Sequence, residues 1–513
     1  MTLVNRNNSC DILSNEKYTK LYVYNIDNQL EISDELLDDK NLLYVIPNIN
    51  AENFGDKSFK EEHNAKYAYC AGAMANGIAS AKMVIELGKN GFIGSYGAGG
   101  CSIDKISEDI DRIQSALNKN QPYMINMLSN RNSDMEMELA RLFIKKNIKW
   151  VEASAYIKMS EALVYYRLNG IRSLKNGEIE IPHKIMAKIS REEVLNKFAS
   201  PPDKKIVSSL LAKGLITDNE ASLSERIPMA DDITVEADSG GHTDARPLVS
   251  ILPALISLKN RLQDKYKYQK PIHIGAGGGI GTGLSALGAF ELGAEYIVTG
   301  SINQSCVEAE TSDYVKQLLA EVSMADIAMA PCADMFELGA KVEVLKKKTM
   351  YPQNAQKLYE YYIKYKSFDD IPEDDKQKIE RRILKNTFDE IWSWTKEYFE
   401  KVNPAQIEKA EKNPSFKMAL VFRWYLGNSS RWAAAGDLSH STDMQIWCGQ
   451  SMGAFNLWTK ETPLEKPSYR KVASVAEIIM KTCAYEYMKS MCIRMGAGAD
   501  MFNENPLDRF IQM

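Results

Sequence analysis

Between about residues 65 and 330 the chain alternates short apolar runs with longer amphipathic stretches, the pattern of repeated strand–helix units on a parallel sheet. The apolar runs predict eight strands: KYAYCAGA (66–73), GFIGSYG (91–97), PYMINML (122–128), IKWVEAS (148–154), HKIMAKIS (183–190), DDITVEAD (231–238), PIHIGAGG (271–278) and EYIVTGS (295–301). Helical patterns such as ISEDIDRIQSALNK, MEMELARLFIKKN, SEALVYYRLNG and GLSALGAFELG lie between them. Eight such units predict an α/β fold of the TIM (β/α)8 barrel type, with an open, doubly wound parallel sheet as the competing arrangement. Glycine placement favours the barrel. A glycine or another small residue follows strands one, two, six, seven and eight, where barrel loops build a site.

Outside that run the pattern changes. Residues 191–230 read as an insertion between strands five and six, two helices with Pro201 and Pro202 opening the first. After about Phe336 strand-length β-branched runs disappear, and Lys, Glu, Tyr and Trp recur at helical spacing, as in AQKLYEYYIKYK and KQKIERRILKNTFDEIWSWTKEYFEKV. The first 60 residues hold two candidate strands, KLYVYNI and LLYVIPN. The expected organisation is an N-terminal extension (1–60), a barrel (61–335) carrying the helical insertion 191–230, and a C-terminal helical domain (336–513) that covers the substrate or acts as a lid.

Composition narrows the function classes. The 513 residues are 45% hydrophobic and 26% charged, with 63 Lys and Arg against 68 Asp and Glu, a formal charge of −5. That balance argues against a general affinity for nucleic acid or an anionic membrane. No apolar run approaches the roughly 18 residues that span a bilayer, and the opening MTLVNRNNSCDILSNEKYTK has no apolar signal core, so a cytoplasmic location is expected. The cysteines (Cys10, Cys70, Cys101, Cys306, Cys332, Cys448, Cys483 and Cys492) form no CxxC pair, which argues against zinc ribbons and thioredoxin-like motifs and for reduced thiols. Only His63, His183, His242, His273 and His440 are available as histidine acids or bases.

The strongest local signal is GAGGGIGTG (275–283), which ends strand seven and opens a helix. Glycines admit close backbone approach and a helix N-terminus offers N–H groups, so the segment reads as an anion site. No register of it supplies the three glycines of G-x-G-x-x-G, and it follows strand seven rather than strand one, so a Rossmann reading fails. A tight turn without ligand is the plain alternative. VTGSINQ (298–304) ends strand eight, and barrels commonly hold a phosphate between the loops after strands seven and eight. The pair points to a phosphorylated ligand, with FMN the leading candidate and FAD disfavoured. EADSGGHTDARP (236–247) ends strand six; Gly240 and Gly241 leave room for a planar ring, and His242 is placed as a proton donor at the barrel mouth. Its alternative is a structural histidine tied to Asp244 and Arg246. Cys101, after YGAGG, lines the site mouth or packs as a small thiol, the latter favoured. Trp392, Trp394, Trp424, Trp432 and Trp447 read as packing within the helical domain.

In this order AGAMANGIAS, INMLSN, MAKISR, EADSGGHTD, GAGGGIGTG and VTGSINQ resemble the FMN-dependent nitronate monooxygenase and enoyl-reductase superfamily. The closer resemblance is to the PfaD family, trans-acting enoyl reductases of acyltransferase-less polyketide synthases and of polyunsaturated fatty acid synthases. It continues through MADIAMAPCADMFELGAKVEVLKKKTMYP, MALVFRWYLGNSSRW and DMQIWCGQSMGAFNLW, and so covers about residues 60 to 510. The resemblance implies that backbone groups of Gly72, Ala73 and Met74 contact the isoalloxazine. It implies that Asn126 and Lys188 bond its polar edge, and that Gly240 and Gly241 pack on the ring. Gly277, Gly278, Gly279, Gly300 and Ser301 would hold the phosphate, and His242 matches the active-site histidine. Lys188 would stabilise the anionic reduced flavin, and it stands behind His242 as a second candidate acid.

The function so implied is an enoyl-thioester reductase: NADPH or NADH reduces FMN, hydride passes to the β-carbon of an enoyl chain on an acyl carrier protein, and a donor protonates the α-carbon. Polyketide synthase modules are the expected partners, with a homodimer compatible and the oligomeric state left open. A nitronate monooxygenase-type flavin oxidase is the enzymatic alternative, which the helical appendage disfavours. A non-catalytic flavin-fold scaffold in a synthase complex is the other, disfavoured by the intact glycine motifs and His242. Lys341, Lys346, Lys347 and Lys348 offer either a carrier dock or a solvated helix face.

Overall fold

The computed structural model describes residues 20–26, 29–37, 40–130, 132–496, 502 and 505–511. The chain divides into two compact units. The first holds the chain up to Asp238, then Asp244–Glu310, then Leu457 onward; the second holds Ser239–Thr243 and Thr311–Asn456.

The first unit is built on a closed barrel of eight parallel strands. In chain order they are Tyr69–Ala71, Ile93–Tyr96, Met124–Leu128, Trp150–Ser154, Lys184–Ile189, Asp232–Glu236, His273–Gly277 and Ile297–Thr299. Each falls inside a predicted apolar run, and the open sheet is excluded because the last strand pairs with the first, Ile297 opposite Tyr69. The strands are buried on both faces, which is why they read as continuous apolar runs rather than alternating ones. The helices between them carry one apolar stripe each. In Ile103–Ala116, capped by the Ser102 side chain, Ile106, Ile110 and Ile113 are buried at helical spacing. Phe59, Met124, Trp150, Met186 and Tyr296 fill the end of the barrel where the strands begin.

Three expectations need correction here. The insertion after strand five forms three helices, Glu192–Phe198, Lys204–Ala212 and Asp218–Ser224. Pro201 and Pro202 precede the second, whose N-cap is Asp203, so they close a turn instead of opening a helix. The N-terminal segment forms three antiparallel strands, Lys20–Ile26, Gln29–Ser33 and Leu42–Pro47, with the first in the middle. The expected helical domain 336–513 does not stay together: the helix Val472–Arg494 packs in the first unit, where Tyr485, Met488 and Cys492 join Leu21, Val23, Ile32 and Ile46 in one buried cluster.

The second unit contains a three-stranded antiparallel sheet in the order Gly241–His242, Lys341–Leu345, Ile327–Pro331. KVEVL (341–345) is thus a strand inside the region expected to lack strands. Its helices Tyr351–Lys364, Phe388–Val402 and Pro414–Ala435 enclose a core that includes Phe336, Leu358, Ile391, Trp392 and Phe422, with Trp424, Trp432 and Trp447 packed against it. Trp394 is exposed, although its ring lies 5.5 Å from that of Trp424. No described helix is long and apolar enough to cross a membrane.

Candidate functional site

The C-terminal ends of the barrel strands gather most of the predicted residues of the first unit. After strand one, the Gly72 amide donates to the Thr299 carbonyl at 2.9 Å, and the Ala73 amide donates to Glu152 Oε2 at 2.9 Å. A Cβ on Gly72 would lie 2.9 Å from Val298 Cγ1, and one on Gly97 would lie 1.8 Å from the Met74 carbonyl oxygen. The loops after strands one and two therefore meet backbone to backbone, a closeness only glycine permits.

Glu152 is the residue that sequence reasoning missed. It lies on strand four opposite Asn126, is fully buried, and its Oε1 has no hydrogen-bond partner. An ionisable side chain inside the apolar run WVEAS was the available signal, because a buried carboxylate without partners is costly. Asn126 is also buried; its Nδ2 donates to the Glu152 carbonyl at 3.0 Å and to Ser154 Oγ at 3.0 Å, which turns its carbonyl oxygen toward the loop after strand two. Lys188 on strand five pairs with Glu236 Oε1 of strand six at 2.8 Å. Burial would lower its pKa, but the charges of Glu236 and Glu152 outweigh that and hold the ammonium well above its ordinary value. Lys188 thus keeps its proton throughout the neutral range, which suits a fixed cation and not a proton donor.

The six glycines of GAGGGIGTG separate by function once the neighbours are known. A Cβ on Gly275 would stand 2.5 Å from the Tyr296 ring, and one on Gly283 would stand 2.5 Å from Thr482 Cβ. Those two are packing requirements. Gly278, at φ +93°, passes against the backbone of Ala237 and Asp238, while Gly279, at φ +72°, and Gly300 face open space. Of the glycines carried over from the sequence as a phosphate cradle, Gly279 and Gly300 are therefore the two with open space beside them. An orphaned carboxylate oxygen, a cradle that a Cβ would fill and two open glycine turns fit a flat, polar-edged ligand with a phosphate tail, the form of FMN.

The structure places Gly240, Gly241 and His242 in the other unit. Gly241, at φ +86°, pairs with Glu343, and His242 pairs with Val342. The His242 ring is half exposed, and its Nε2 lies 3.3 Å from Asp334 Oδ2. Asp244, the partner expected for a structural histidine, is bound instead to Arg191 at 2.7 Å and Ser190 at 2.5 Å within the first unit.

The remaining histidines are committed elsewhere. At the end of the barrel where the strands begin, Asp232 accepts from His63 Nε2 at 2.7 Å and from His273 Nδ1 at 2.9 Å. Ser58 Oγ lies 2.9 Å from His273 Nε2 and donates to Asp56 at 2.6 Å. The row Ser58–His273–Asp232 has the spacing of a hydrolytic triad but the wrong proton arrangement. The serine proton goes to Asp56 and not to His273, whose pKa Asp232 raises against the lowering effect of burial. His183 bonds the Ile148 carbonyl at 3.0 Å, and His440 bonds Asp437 at 3.0 Å. Cys101 is half-buried with its thiol pushed up by burial, in keeping with a packed thiol. The lysine run is not a helix face. Lys341 begins a strand, Lys346–Lys348 follow it, Lys347 donates to the Glu321 carbonyl at 2.6 Å, and Lys348 pairs with the Glu321 carboxylate at 2.7 Å.

Comparison with known proteins agrees with this geometry. The family model for nitronate monooxygenase matches residues 57–364, and that for the inserted helical domain of [acyl-carrier-protein] S-malonyltransferase matches residues 365–444. The enoyl reductase domain of MlnA, from the macrolactin biosynthesis cluster of Bacillus amyloliquefaciens, superposes with a TM-score of 0.83 at 40% identity, over 86% of this chain and 99% of that one. The chain belongs to the nitronate monooxygenase family, in its PfaD-like branch. Polyketide biosynthesis protein PksE of Bacillus subtilis is 43% identical over 447 residues, which are 86% of this chain and 58% of the relative. Polyketide biosynthesis protein ThaF of Burkholderia thailandensis is 39% identical over 441 residues, 86% of this chain and 38% of the relative. A component of the polyunsaturated fatty acid synthase of Thraustochytrium sp. is 43% identical over 418 residues, 80% of this chain and 28% of the relative. The chain therefore spans little more than half of the first of these relatives and smaller shares of the other two. The PfaD-like chain shares its fold with nearly the whole of the MlnA domain.

Proposed function

We propose that the chain is an FMN-dependent enoyl-thioester reductase that uses NADPH or NADH and acts on enoyl chains carried by an acyl carrier protein of a polyketide or polyunsaturated fatty acid synthase. The observation that carries this reading is the match to the MlnA enoyl reductase domain across 99% of that domain and 86% of this chain. The helical match to a domain found in an acyl-carrier-protein transferase supports a carrier-bound substrate. When bound, FMN supplies hydride to the β-carbon after taking it from the nicotinamide.

The chain's own residues supply the rest. Gly72, Ala73 and Met74 back the ring, Asn126 and Glu152 receive or donate at its polar edge, and Lys188 provides a permanent positive charge there. Gly277, Gly278, Gly279, Gly300 and Ser301 hold the phosphate, and Gly240 and Gly241 keep their assignment to the ring. His242 is assigned the proton for the α-carbon, so that hydride and proton together saturate the double bond. Because Lys347 and Lys348 already serve Glu321, a carrier dock is not assigned to the lysine run.

The purified protein is expected to be yellow and to release FMN on heating; recovery of FAD, or of protein that takes up neither flavin, defeats the assignment. The Glu152→Gln variant keeps an acceptor for the Ala73 amide but loses the charge beside the cradle. It should bind FMN about tenfold more weakly while its thermal transition stays intact, since a hydrogen bond to a charged group is worth roughly 1.5–3 kcal/mol. Anaerobic bleaching by NADPH and reoxidation by a crotonyl thioester separate this reading from a nitronate monooxygenase, which turns over nitronate with oxygen and leaves the thioester untouched.

A further inference from the structure

The His242–Asp334 pair belongs wholly to the second unit, and the way that unit is built explains why the two residues meet. His242 lies on a two-residue edge strand, with Val342 beside it and Ala330 beyond Val342 in register. The strand Ile327–Pro331 turns back to Lys341–Leu345 through a connection that carries Cys332, Asp334 and Phe336. Two bonds fix the shape of that connection: the Cys332 amide donates to the Ala340 carbonyl at 3.0 Å, and the Gly339 amide donates to the Phe336 carbonyl at 3.0 Å. The Phe336 ring is fully buried and sits 5.5 Å from Tyr359 and 5.3 Å from Tyr362. The helical core therefore anchors the loop that presents Asp334 to the imidazole.

We propose that Asp334 is the positioning residue for His242: its carboxylate, 3.3 Å from Nε2, holds the Nε2–H and so directs Nδ1, which carries the proton passed to the substrate. The proposal rests on the enoyl-reductase reading for its chemical use, although the pairing stands on geometry alone. A carboxylate at this distance orients the ring and favours its protonated form over the neutral one. After transfer the ring is left neutral with Nε2–H still directed to Asp334, and its half-exposed position lets solvent restore the proton. In the overall step hydride adds to the β-carbon, the His242 proton adds to the α-carbon, nicotinamide is oxidised and one solvent proton is consumed.

The charges around the ring permit this. Desolvation would raise the Asp334 carboxyl, but its bond to His242 and the charge of that ring outweigh it and leave it at about 2, so it is ionised at every working pH. Cys332 Sγ lies within 4.8 Å of the pair; burial and the neighbouring Asp334 charge push the thiol up to about 12, so it stays neutral. Glu343 lies opposite Gly241 on the central strand, and Lys341, exposed, lies opposite Pro331 at the far side of the sheet. Glu337, in the same connection, is paired with Arg423 at 3.1 Å. Of the chain neighbours of His242, Asp244 is bound by Arg191 at 2.7 Å, and Arg246 lies four residues on.

The test compares wild type with Asp334→Asn and Asp334→Glu in the full-length, FMN-loaded protein. The alkaline limb of kcat/KM for a crotonyl thioester should move down by roughly one to two pH units in Asp334→Asn and return most of the way in Asp334→Glu. A second measurement needs no turnover: the pH dependence of diethyl pyrocarbonate modification at His242, read by peptide mass spectrometry, should show the same fall in midpoint. Equal midpoints in wild type and Asp334→Asn, with equal thermal transitions, overturn the proposal. If the modification midpoint falls but no variant or wild-type protein reduces the thioester, the pairing stands and the enoyl-reductase reading fails.

Discussion

Asp232 shows how one buried charge can fix two side chains. It accepts from His63 and His273, with burial that would raise its carboxyl outweighed by the two rings, so that it sits at about 2. Burial lowers His63, whose Nε2–H serves Asp232, whereas at His273 the Asp232 carboxylate outweighs burial and raises the ring. The signs follow from linkage. A lowered His63 takes up a proton on unfolding below its ordinary 6.5, so stability falls as pH drops through that value. The Asp232 contribution is present above its ordinary 3.8 and is lost as pH falls towards 2. The raised His273 contributes below 6.5 and is lost as pH rises through its folded value. Replacing Asp232 by Asn removes the carboxylate that both rings bond, and breaking a buried interaction of this kind costs roughly 3–5 kcal/mol. Urea denaturation at pH 7 should show that loss; a midpoint within error of wild type would mean that the network adds nothing.

At the level of elements, the helix Gly283–Glu291 after strand seven packs on Val472–Arg494, and Gly283 sits where they touch. A Cβ there would meet Thr482 Cβ at 2.5 Å and the Cys483 amide nitrogen at 2.9 Å, so backbone as well as side chain must move. Overpacking of this kind costs about 1–3 kcal/mol. Gly283→Ala is therefore expected to lower the urea midpoint while leaving FMN content near wild type, because Gly283 faces the C-terminal helix and not the cradle. Thr282 caps this helix through Ser285, and Gly281 also donates to Ser285 Oγ at 3.0 Å, so the cap itself uses the first polar groups of the turn. A glycine-rich motif read as a single ligand loop thus contains at least one glycine, Gly283, that serves a helix contact.

For the whole molecule, the decisive fact is that the chain returns to its first unit after Asn456. Val472–Arg494 supplies Tyr485, Met488 and Cys492 to the cluster that covers the N-terminal sheet, and Arg470, fully buried, donates to the Leu464 carbonyl at 2.7 Å and to Ser305 Oγ at 2.9 Å. A chain ending at Asn456 would expose that cluster, remove the Arg470 donor from Ser305 and uncover the helix Gly283–Glu291. It should be recovered as aggregate or lose its cooperative thermal transition. Soluble, cooperatively folding protein that retains FMN would show the C-terminal segment to be dispensable.

The barrel was legible in the sequence because each of its strands is buried on both faces, which forces an unbroken apolar run between helical stripes. The glycines at 241, 278 and 279 after strands six and seven were legible because their positive φ disfavours any other residue. The helical character of residues 351–435 could be read from the spacing of Tyr, Trp and Ile, but the strand KVEVL within that region could not, since five residues of alternating pattern pair only when Gly241–His242 and Ile327–Pro331 reach them from elsewhere in the chain. The same reason hid the partners that matter most. Glu152 stands beside Gly72 and Lys188 because strands four, one and five converge on closing the barrel, and Asp334 meets His242 across 92 positions because a buried Phe336 pins its loop. Burial and turn geometry act on neighbours along the chain and so are written in its order. Charge pairing acts on neighbours in space, and only the folded chain chooses those.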